Sequence, residues 1–174
     1  MRPPPRKLST EAELYTAALR ALMRRAHSVY EMRLALERRA QDKAAVVRVL
    51  QRLKQESFLD DARYARQFVR YRVESRRQGR FRIARDLRAR GVPDRHIEAA
   101  LEDAFAETDE AALARKRLAR RLKNLRGALD QRQVASLYRS LLRAGFSADV
   151  IRVELRSLTR QDLSEIAEGS PDDE

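Results

Sequence analysis

Residues 58–92 read FLDDARYARQFVRYRVESRRQGRFRIARDLRARGV, with eleven arginines against four acidic residues. Apolar residues recur there every three or four positions, first around Phe68 and then around Ile83 and Leu87. This spacing is typical of amphipathic helices. The stretch therefore predicts two short helices that are separated by a turn at Gly79.

The basic residues of this stretch are concentrated on one helix face. Arg63, Arg66 and Arg70 follow one another at i, i+3 and i+7, so they share a side of the first predicted helix. A face that only contacts solvent normally mixes Glu with Arg, whereas downstream of Arg63 only Glu74 and Asp86 in the stretch are acidic. Such a surface repels itself unless an anion binds to it.

The composition of the whole chain points to a polyanionic partner. The 174 residues have a formal net charge of +12, and of the 38 basic residues only five are Lys. Guanidinium groups match phosphate and carboxylate in bidentate geometry, which predicts binding to nucleic acid or to an acidic protein surface. A GC-rich genome would raise the ratio of Arg to Lys as well, but it does not account for the net charge.

The residues that are scarce exclude several classes of site. The chain has no Cys and only two His, so disulfides and thiolate zinc sites are excluded and no metal site is expected. Its glycines are too far apart for a phosphate-binding loop, and no Ser lies in a nucleophile motif. His27 and His96 lack carboxylates at a spacing that would indicate catalysis. We therefore expect neither an enzyme nor a cofactor.

The distribution of apolar residues predicts no membrane-spanning segment. The chain contains no apolar run of about 18 residues and no segment resembling a signal peptide at its start. We therefore expect a cytoplasmic protein that makes no membrane contact. Only five Gly and five Pro occur, in a chain otherwise rich in Ala, Leu, Arg and Glu, which indicates an all-helical fold.

The pattern of apolar residues repeats along the chain. Three sets of five positions correspond at intervals of 51 and 54 residues: Met32, Leu36, Ala40, Val46 and Leu50; Ile83, Leu87, Gly91, Ile97 and Leu101; and Leu137, Leu141, Gly145, Ile151 and Leu155. The two glycines are in register as predicted carboxyl caps of helices. The pattern predicts an all-α fold, an elongated array of three tandem three-helix repeats that resemble helix-turn-helix units.

The domain boundaries follow from this repeat. We place the three repeats at residues 13–57, 58–107 and 108–159. A mobile basic amino-terminal arm, residues 1–12, is expected before them, and an acidic disordered tail, residues 160–174, after them.

Several of the predicted helices are preceded by side chains suited to cap them: Ser28 with Glu31, Asp42, Asp60 with Asp61, and Asp130. Oxygen atoms at these positions can accept hydrogen bonds from the unpaired N–H groups of the first turn. A metal-binding role for Asp60 and Asp61 is disfavoured because no third ligand accompanies them.

A second basic run follows in the third repeat. It consists of Arg115, Lys116, Arg117, Arg120, Arg121, Lys123 and Arg126, with no acid between residues 111 and 128. The two runs lie on the first helices of successive repeats, so they could align into one stripe. No set of Asn or Gln suited to read base edges accompanies them, so the pattern indicates attraction to phosphates without sequence specificity.

Three aromatic residues are interleaved with the arginines of the first run. Tyr64, Phe68 and Tyr71 could stack on bases. Their spacing of i, i+4 and i+7 is also that of a stripe of core residues. Tyr71 is the one that we expect to be exposed if the stripe is part of the core.

These residues resemble a known family. Two segments resemble the central block of the RecX family, the modulators of the RecA recombinase. They are Leu59-Asp60-Asp61-x-Arg63-Tyr64-Ala65-x-x-Phe68-Val69 and, after Gly79, Ile83-x-x-x-Leu87-x-x-x-Gly91-Val92. A third segment resembles the family's first repeat. It is Leu22-x-x-Arg25-x-His27-Ser28-x-x-Glu31-Met32-x-x-x-Leu36. The resemblance covers residues 14–158, and departs from the family where Ala40 replaces a common Gly and Phe81 a common Pro.

The resemblance implies a crescent of three-helix repeats that lies in the helical groove of the RecA filament on DNA. The resemblance further implies that the protein inhibits ATP hydrolysis, strand exchange and coprotease activity there. Because the family has no catalytic residues, the resemblance assigns none to this chain. We expect a monomer that by itself binds single- or double-stranded DNA weakly and without sequence preference. The alternative is a basic helical-repeat DNA-binding or adaptor protein that docks on an acidic partner unrelated to RecA.

Charge and helical phase, rather than the family motif, select the residues predicted to bind RecA or DNA. They are Arg63, Arg66, Arg70, Arg76, Arg77, Arg80, Arg82, Arg85, Arg88, Arg117, Arg120 and Arg121.

Overall fold

Polar side chains begin the helices as the sequence predicts. The Ser28 hydroxyl accepts a hydrogen bond from the Glu31 N–H at 3.0 Å, and the Glu31 carboxylate accepts one from the Ser28 N–H at 3.2 Å. Asp42, Asp60 and Asp130 also accept hydrogen bonds from N–H groups of the helices that follow them. These bonds satisfy donors that the first helical turn would leave unpaired.

The structure, a computed structural model, describes residues 7–123 and 129–168. Over these residues the chain forms nine α-helices and no strand: α1 Glu11–Arg24, α2 Val29–Glu37, α3 Lys43–Gln55, α4 Asp61–Glu74, α5 Arg80–Arg88, α6 Asp94–Ala106, α7 Glu110–Leu122, α8 Gln131–Ala144 and α9 Ala148–Glu168. The prediction of an all-α fold of three tandem three-helix units is confirmed. No helix within the described ranges is long and apolar enough to cross a membrane.

The segment before α1 is held in place. Leu8 is buried, and its N–H donates to the carbonyl of Arg39 at 2.7 Å. Thr10 forms a capping box with Glu13 that begins α1. The expectation of a mobile arm over residues 1–12 therefore does not hold for the part of that segment that the structure describes, and the first six residues lie outside it.

Helix α9 continues through Glu168. Residues 160–168 are helical, which differs from the prediction that the third repeat ends at residue 159 and that residues 160–174 form a disordered tail. The physical reason is that RQDLSEIAE contains no Gly or Pro that would end a helix before Gly169. The last six residues of that tail lie outside the described part of the chain.

The chain packs into two compact units. Unit 1 combines residues up to 68 with residues 86–100, and unit 2 combines residues 69–85 with residues from 101 onward. Each unit contains one terminal repeat together with part of the second repeat. The compact units therefore follow boundaries that differ from those of the sequence repeats.

Most of the apolar positions that repeat in the sequence lie in the cores of the two units, whereas Leu101 is half-buried. In unit 1, Met32, Leu36, Val46 and Leu50 are buried together with residues of α1 such as Leu14. The equivalent positions Ile83, Leu87, Ile97, Leu137, Leu141, Ile151 and Leu155 are also buried. Burial of one such side chain stabilises a fold by about 1.5–3 kcal/mol, which explains why these positions are filled by apolar residues in each repeat.

In unit 1 the start of α2 contacts the end of α5. The Ser28 hydroxyl donates a hydrogen bond to the carbonyl of Arg90 at 2.6 Å. The next residue, Gly91, has a φ of +69°, and a Cβ added there would lie 2.4 Å from the Cβ of Tyr30. Glycine is therefore required at this position both by the backbone conformation and by the close approach of α2.

In unit 2 the start of α5 contacts the end of α8 in the same way. The Gly79 N–H donates to the carbonyl of Ala144 at 2.9 Å, and the Phe81 N–H donates to that of Gly145 at 3.1 Å. A Cβ on Gly79 would lie 2.2 Å from the carbonyl oxygen of Gly145. These bonds pair unsatisfied donors of one helix with unsatisfied acceptors of another. Gly79 thus serves close approach of two backbones in addition to the predicted turn.

A partly buried carboxylate holds the contact in unit 1 together. Glu31 accepts hydrogen bonds from Arg90 at 2.9 Å, Arg25 at 3.1 Å and the Tyr64 hydroxyl at 3.3 Å. Burial by itself raises the pKa of Glu31, but hydrogen bonds from Arg25 and the Ser28 N–H, together with the charges of Arg25 and Arg90, outweigh it. The pKa of this carboxyl therefore lies below its usual value.

We expect Glu31→Gln to lower the free energy of unfolding by about 1–3 kcal/mol at pH 7, because charge-assisted hydrogen bonds are lost. Since the folded-state pKa of Glu31 is depressed, its stabilising contribution is full above the unfolded pKa of about 4.3 and is lost as the pH falls through the folded pKa. Urea unfolding at pH 7 and at lower pH measures this difference, with the exposed Glu98→Gln as the control. A difference between variant and wild type that stays constant with pH would contradict the expectation.

Candidate functional site

Arginines from two helices and one turn lie together in unit 2. A guanidinium nitrogen of Arg117, on α7, donates to the carbonyl of Arg76 in the turn after α4, at 3.1 Å. A guanidinium nitrogen of Arg82, on α5, donates to the carbonyl of Arg143 on α8 at 2.8 Å. Backbone carbonyls hold these two side chains in position without removing their charge. We use the name unit 2 arginine cluster for five residues: Arg76, Arg82, Arg117, Arg120 and Arg121.

The charges within this cluster repel one another. Burial lowers the pKa of the Arg117 guanidinium, and the charges of Arg121, Arg82 and Arg120 lower it further. The Nε of Arg117 is buried and has no hydrogen-bond acceptor among the residues that the structure describes. An anion bound to the accessible nitrogens of this cluster would offset the repulsion and accept hydrogen bonds from guanidinium groups. The cluster is therefore suited to bind phosphate or carboxylate.

Other predicted arginines form ion pairs. The pairs are Arg70 with Glu74 at 3.2 Å, Arg80 with Glu110 at 3.4 Å, and Arg88 with Asp94 at 2.7 Å. The Arg70 side chain is 80% exposed and that of Glu74 is 64% exposed, so this pair contributes only about 0–1 kcal/mol. Part of the predicted basic surface is thus balanced by nearby carboxylates.

The predicted arginines at the start of α4 belong to unit 1. Arg63 donates to the carbonyl of Ser57 at 2.6 Å. A hydrogen bond from the Arg63 N–H is the largest cause that lowers the pKa of Asp60, and the charges of Arg63 and Arg66 lower it further. These two cations therefore lie beside a carboxylate.

The remaining arginines of the predicted binding site are divided between exposed and half-buried positions. Arg85 is exposed, and Arg77 is half-buried with a φ of +47°, in the left-handed region that few residues other than glycine adopt. Arg63, Arg66 and Arg88 lie in unit 1, and the other nine predicted arginines lie in unit 2. The structure thus brings five of them together in one cluster, while a continuous stripe over all twelve stays a prediction.

The aromatic residues of α4 divide into core and surface. Tyr64 is buried, and its ring stacks on Phe68 with a centroid distance of 6.1 Å. Tyr71 is 49% exposed, and the guanidinium of Arg76 lies 5.9 Å from its ring centroid. The core interpretation holds for Tyr64, and Tyr71 is on the surface as expected.

Two features of this surface are not predicted from the sequence. Phe81 is 60% exposed at the start of α5, although large apolar side chains next to a helix start often enter the core. The carbonyl of Arg143 orients Arg82, and no sequence pattern links residues that far apart. Over the described residues, no group of three or more His, Cys, Asp or Glu is placed to hold a metal ion.

Comparison with known proteins identifies the family. Residues 60–101 match the family model of the second three-helix domain of RecX. The regulatory protein RecX of Halorhodospira halophila is 43% identical, and the match spans 84% of this chain and 88% of the relative. That of Prosthecochloris aestuarii is 33% identical over 77% of this chain and 85% of the relative. A crystal structure of a regulatory protein RecX superimposes with a TM-score of 0.69 at 25% identity, and covers 83% of this chain and 70% of that chain. The chain therefore belongs to the RecX family of regulatory proteins.

Proposed function

We propose that this chain is a negative regulator of homologous recombination that acts on the RecA recombinase. It binds in the helical groove of the RecA filament on DNA and there inhibits ATP hydrolysis, strand exchange and the coprotease activity of RecA. Membership of the RecX family supports a role in the regulation of RecA.

The unit 2 arginine cluster is the observation that carries the proposal. The charges of Arg121, Arg82 and Arg120 act on Arg117, and the hydrogen bond that its guanidinium donates to the Arg76 carbonyl does not neutralise its charge. A filament of RecA on DNA offers phosphates at regular intervals, and arginine binds phosphate through paired hydrogen bonds. A regulator that acts by binding this filament requires affinity for a polyanion and requires no catalytic residues. Its formal net charge of +12 favours the encounter with a polyanion over long distances.

The ion-paired arginines provide additional contacts in this proposal. Arg70 and Arg80 have carboxylate partners at 3.2 Å and 3.4 Å, and the arginine side chains are 80% and 46% exposed. Because the exposed pair of Arg70 with Glu74 is worth only about 0–1 kcal/mol, a phosphate can replace that carboxylate at little expense of stability. The free protein is then expected to bind DNA weakly, with either one or two strands and without sequence preference.

The rate of ATP hydrolysis by RecA tests the proposal. Purified protein is titrated into RecA filaments formed on single-stranded DNA, and the release of phosphate is followed. We expect the rate to fall while the protein is still substoichiometric to RecA, because one bound molecule affects several neighbouring protomers of a filament. Strand exchange and coprotease assays on the same filaments should show inhibition over the same concentration range.

An inert protein of similar charge is the control for this titration. A basic protein that binds DNA without contacting RecA reduces the rate only when it coats the DNA. If ATP hydrolysis is unchanged at a molar excess of this chain, the proposed regulation of RecA is wrong. A helical adaptor for another acidic partner would then be the better interpretation.

A further inference from the structure

An exposed aromatic ring lies at the edge of the unit 2 arginine cluster. Tyr71 is 49% exposed, whereas Tyr64 on the same helix is 8% exposed. The guanidinium of Arg76 lies 5.9 Å from the centroid of the Tyr71 ring. This cation stabilises the ring in position through a cation–π contact while a large part of its surface stays accessible.

Arg76 also contacts Arg117 of the unit 2 arginine cluster. The carbonyl of Arg76 accepts a hydrogen bond from Arg117 at 3.1 Å. The charges of Arg121, Arg82 and Arg120 act on Arg117, whose pKa they lower in addition to the effect of burial. Arg76 therefore contacts both an accessible aromatic ring on α4 and an arginine of a site suited to phosphate.

This combination of groups is specific for one class of ligand. Phosphates alone can be bound by arginines, and a duplex presents phosphates while its bases are stacked inside. A single strand has bases whose faces are free to stack on an aromatic side chain. An exposed ring beside a phosphate site is of use mainly for a strand whose bases are unpaired.

We infer that unit 2 contains a subsite for single-stranded nucleic acid, in which Tyr71 stacks on an unpaired base and Arg117, Arg120 and Arg121 bind the adjacent phosphates. Arg76 is the positioning residue for Tyr71 and Arg117. The inference rests on the proposed function for its setting and deepens it by naming the kind of strand that the surface prefers. Stacking requires no particular base, so the subsite has no sequence preference.

Binding of labelled strands to the full-length protein tests the subsite directly. Three fluorescent probes of equal length are compared by anisotropy at one salt concentration: oligothymidylate, a fully abasic strand and a DNA duplex. We expect Tyr71→Ala to weaken the binding of oligothymidylate by about 5- to 150-fold, as for the loss of one stacked base. Binding of the abasic strand and of the duplex should change by less than about twofold, because phosphate contacts are retained.

Two variants make the test specific. Tyr71→Phe retains the ring and should bind oligothymidylate within about twofold of the wild type. Phe58→Ala removes an aromatic side chain of similar exposure, 47%, from unit 1 and should have no effect on any probe. Thermal unfolding of each variant shows whether the chain is folded.

The outcomes separate this inference from the proposed function. An equal loss for oligothymidylate, abasic strand and duplex would assign Tyr71 a structural role only, and no loss for oligothymidylate would exclude stacking. Either result overturns the subsite but leaves inhibition of RecA intact, because ATP hydrolysis is measured independently. If the Tyr71→Ala defect is found in a protein that does not inhibit RecA, the subsite stands and the proposed function fails.

Discussion

Replacing Arg117, Arg120 and Arg121 together by Gln is expected to weaken DNA binding by about 10- to 1000-fold at ~50 mM salt. These residues provide cationic groups of the unit 2 arginine cluster, and burial, together with the charges of neighbouring arginines, lowers the pKa of Arg117. Each phosphate contact that is lost should reduce the slope of log K against log salt by about one. The triple variant should therefore show a slope that is smaller by about three, measured by anisotropy between ~50 and ~200 mM salt.

The control for this variant removes the same formal charge elsewhere. Arg33, Arg48 and Arg52 lie in the first repeat and form ion pairs with acidic side chains, and none of the three belongs to the predicted site. We expect their joint replacement by Gln to change DNA affinity by less than about threefold, through long-range electrostatics alone. Equal losses in the two triple variants would indicate that net charge, rather than the arrangement of the cluster, determines binding.

The Gly145→Ala variant is expected to lower the free energy of unfolding by about 2–5 kcal/mol. The φ of Gly145 is +92°, and a Cβ there would lie 2.3 Å from the backbone nitrogen of Arg82. Alanine must therefore adopt an unfavourable backbone conformation and also separate α5 from α8. Thermal unfolding should show a Tm lower by about 5–15 °C.

A second variant confirms that the contact between the two backbones is responsible. Gly79→Ala places a Cβ 2.2 Å from the carbonyl oxygen of Gly145, although Gly79 itself has no left-handed φ. Because the two glycines touch, the double variant should lose less stability than the sum of the single variants. Ser136→Ala, at an exposed position of α8, serves as the control. A Gly145→Ala protein with the Tm of the wild type would contradict this account of the helix contact.

The architecture was predictable because burial constrains sequence at regular intervals. Met32, Ile83 and Leu137 occupy equivalent core positions, and a polar residue at any of them would require a buried partner. The caps were predictable because Ser28 and Glu31 interact within one helical turn. Local patterns of this kind leave a signal in a single sequence.

Contacts between distant residues left no such signal. Leu8 is anchored by the backbone of Arg39, and a backbone hydrogen bond places no demand on either side chain. Arg63, Arg66 and Arg70 are exposed, but helical phase does not indicate which cations have carboxylates beside them.

The unit 2 arginine cluster depends both on a local sequence pattern and on contacts between distant residues. The basic run of α7 is visible in the sequence, whereas its placement next to Arg76 depends on packing in unit 2. The contact between Gly79 and Gly145 joins residues of different repeats, so the sequence predicts each turn but not their proximity. Residues of the candidate site were thus found by charge, and their grouping required the structure.

Inhibition of RecA by the wild type and by the triple Gln variant of Arg117, Arg120 and Arg121, compared side by side, tests the central claim most directly. The measurement is the rate of ATP hydrolysis by RecA filaments on single-stranded DNA as a function of added protein. We expect the wild type to inhibit at substoichiometric concentration, and the variant to require at least about tenfold more protein for the same effect. Identical titration curves for the two proteins, or no inhibition by the wild type, would contradict regulation of RecA through this cluster.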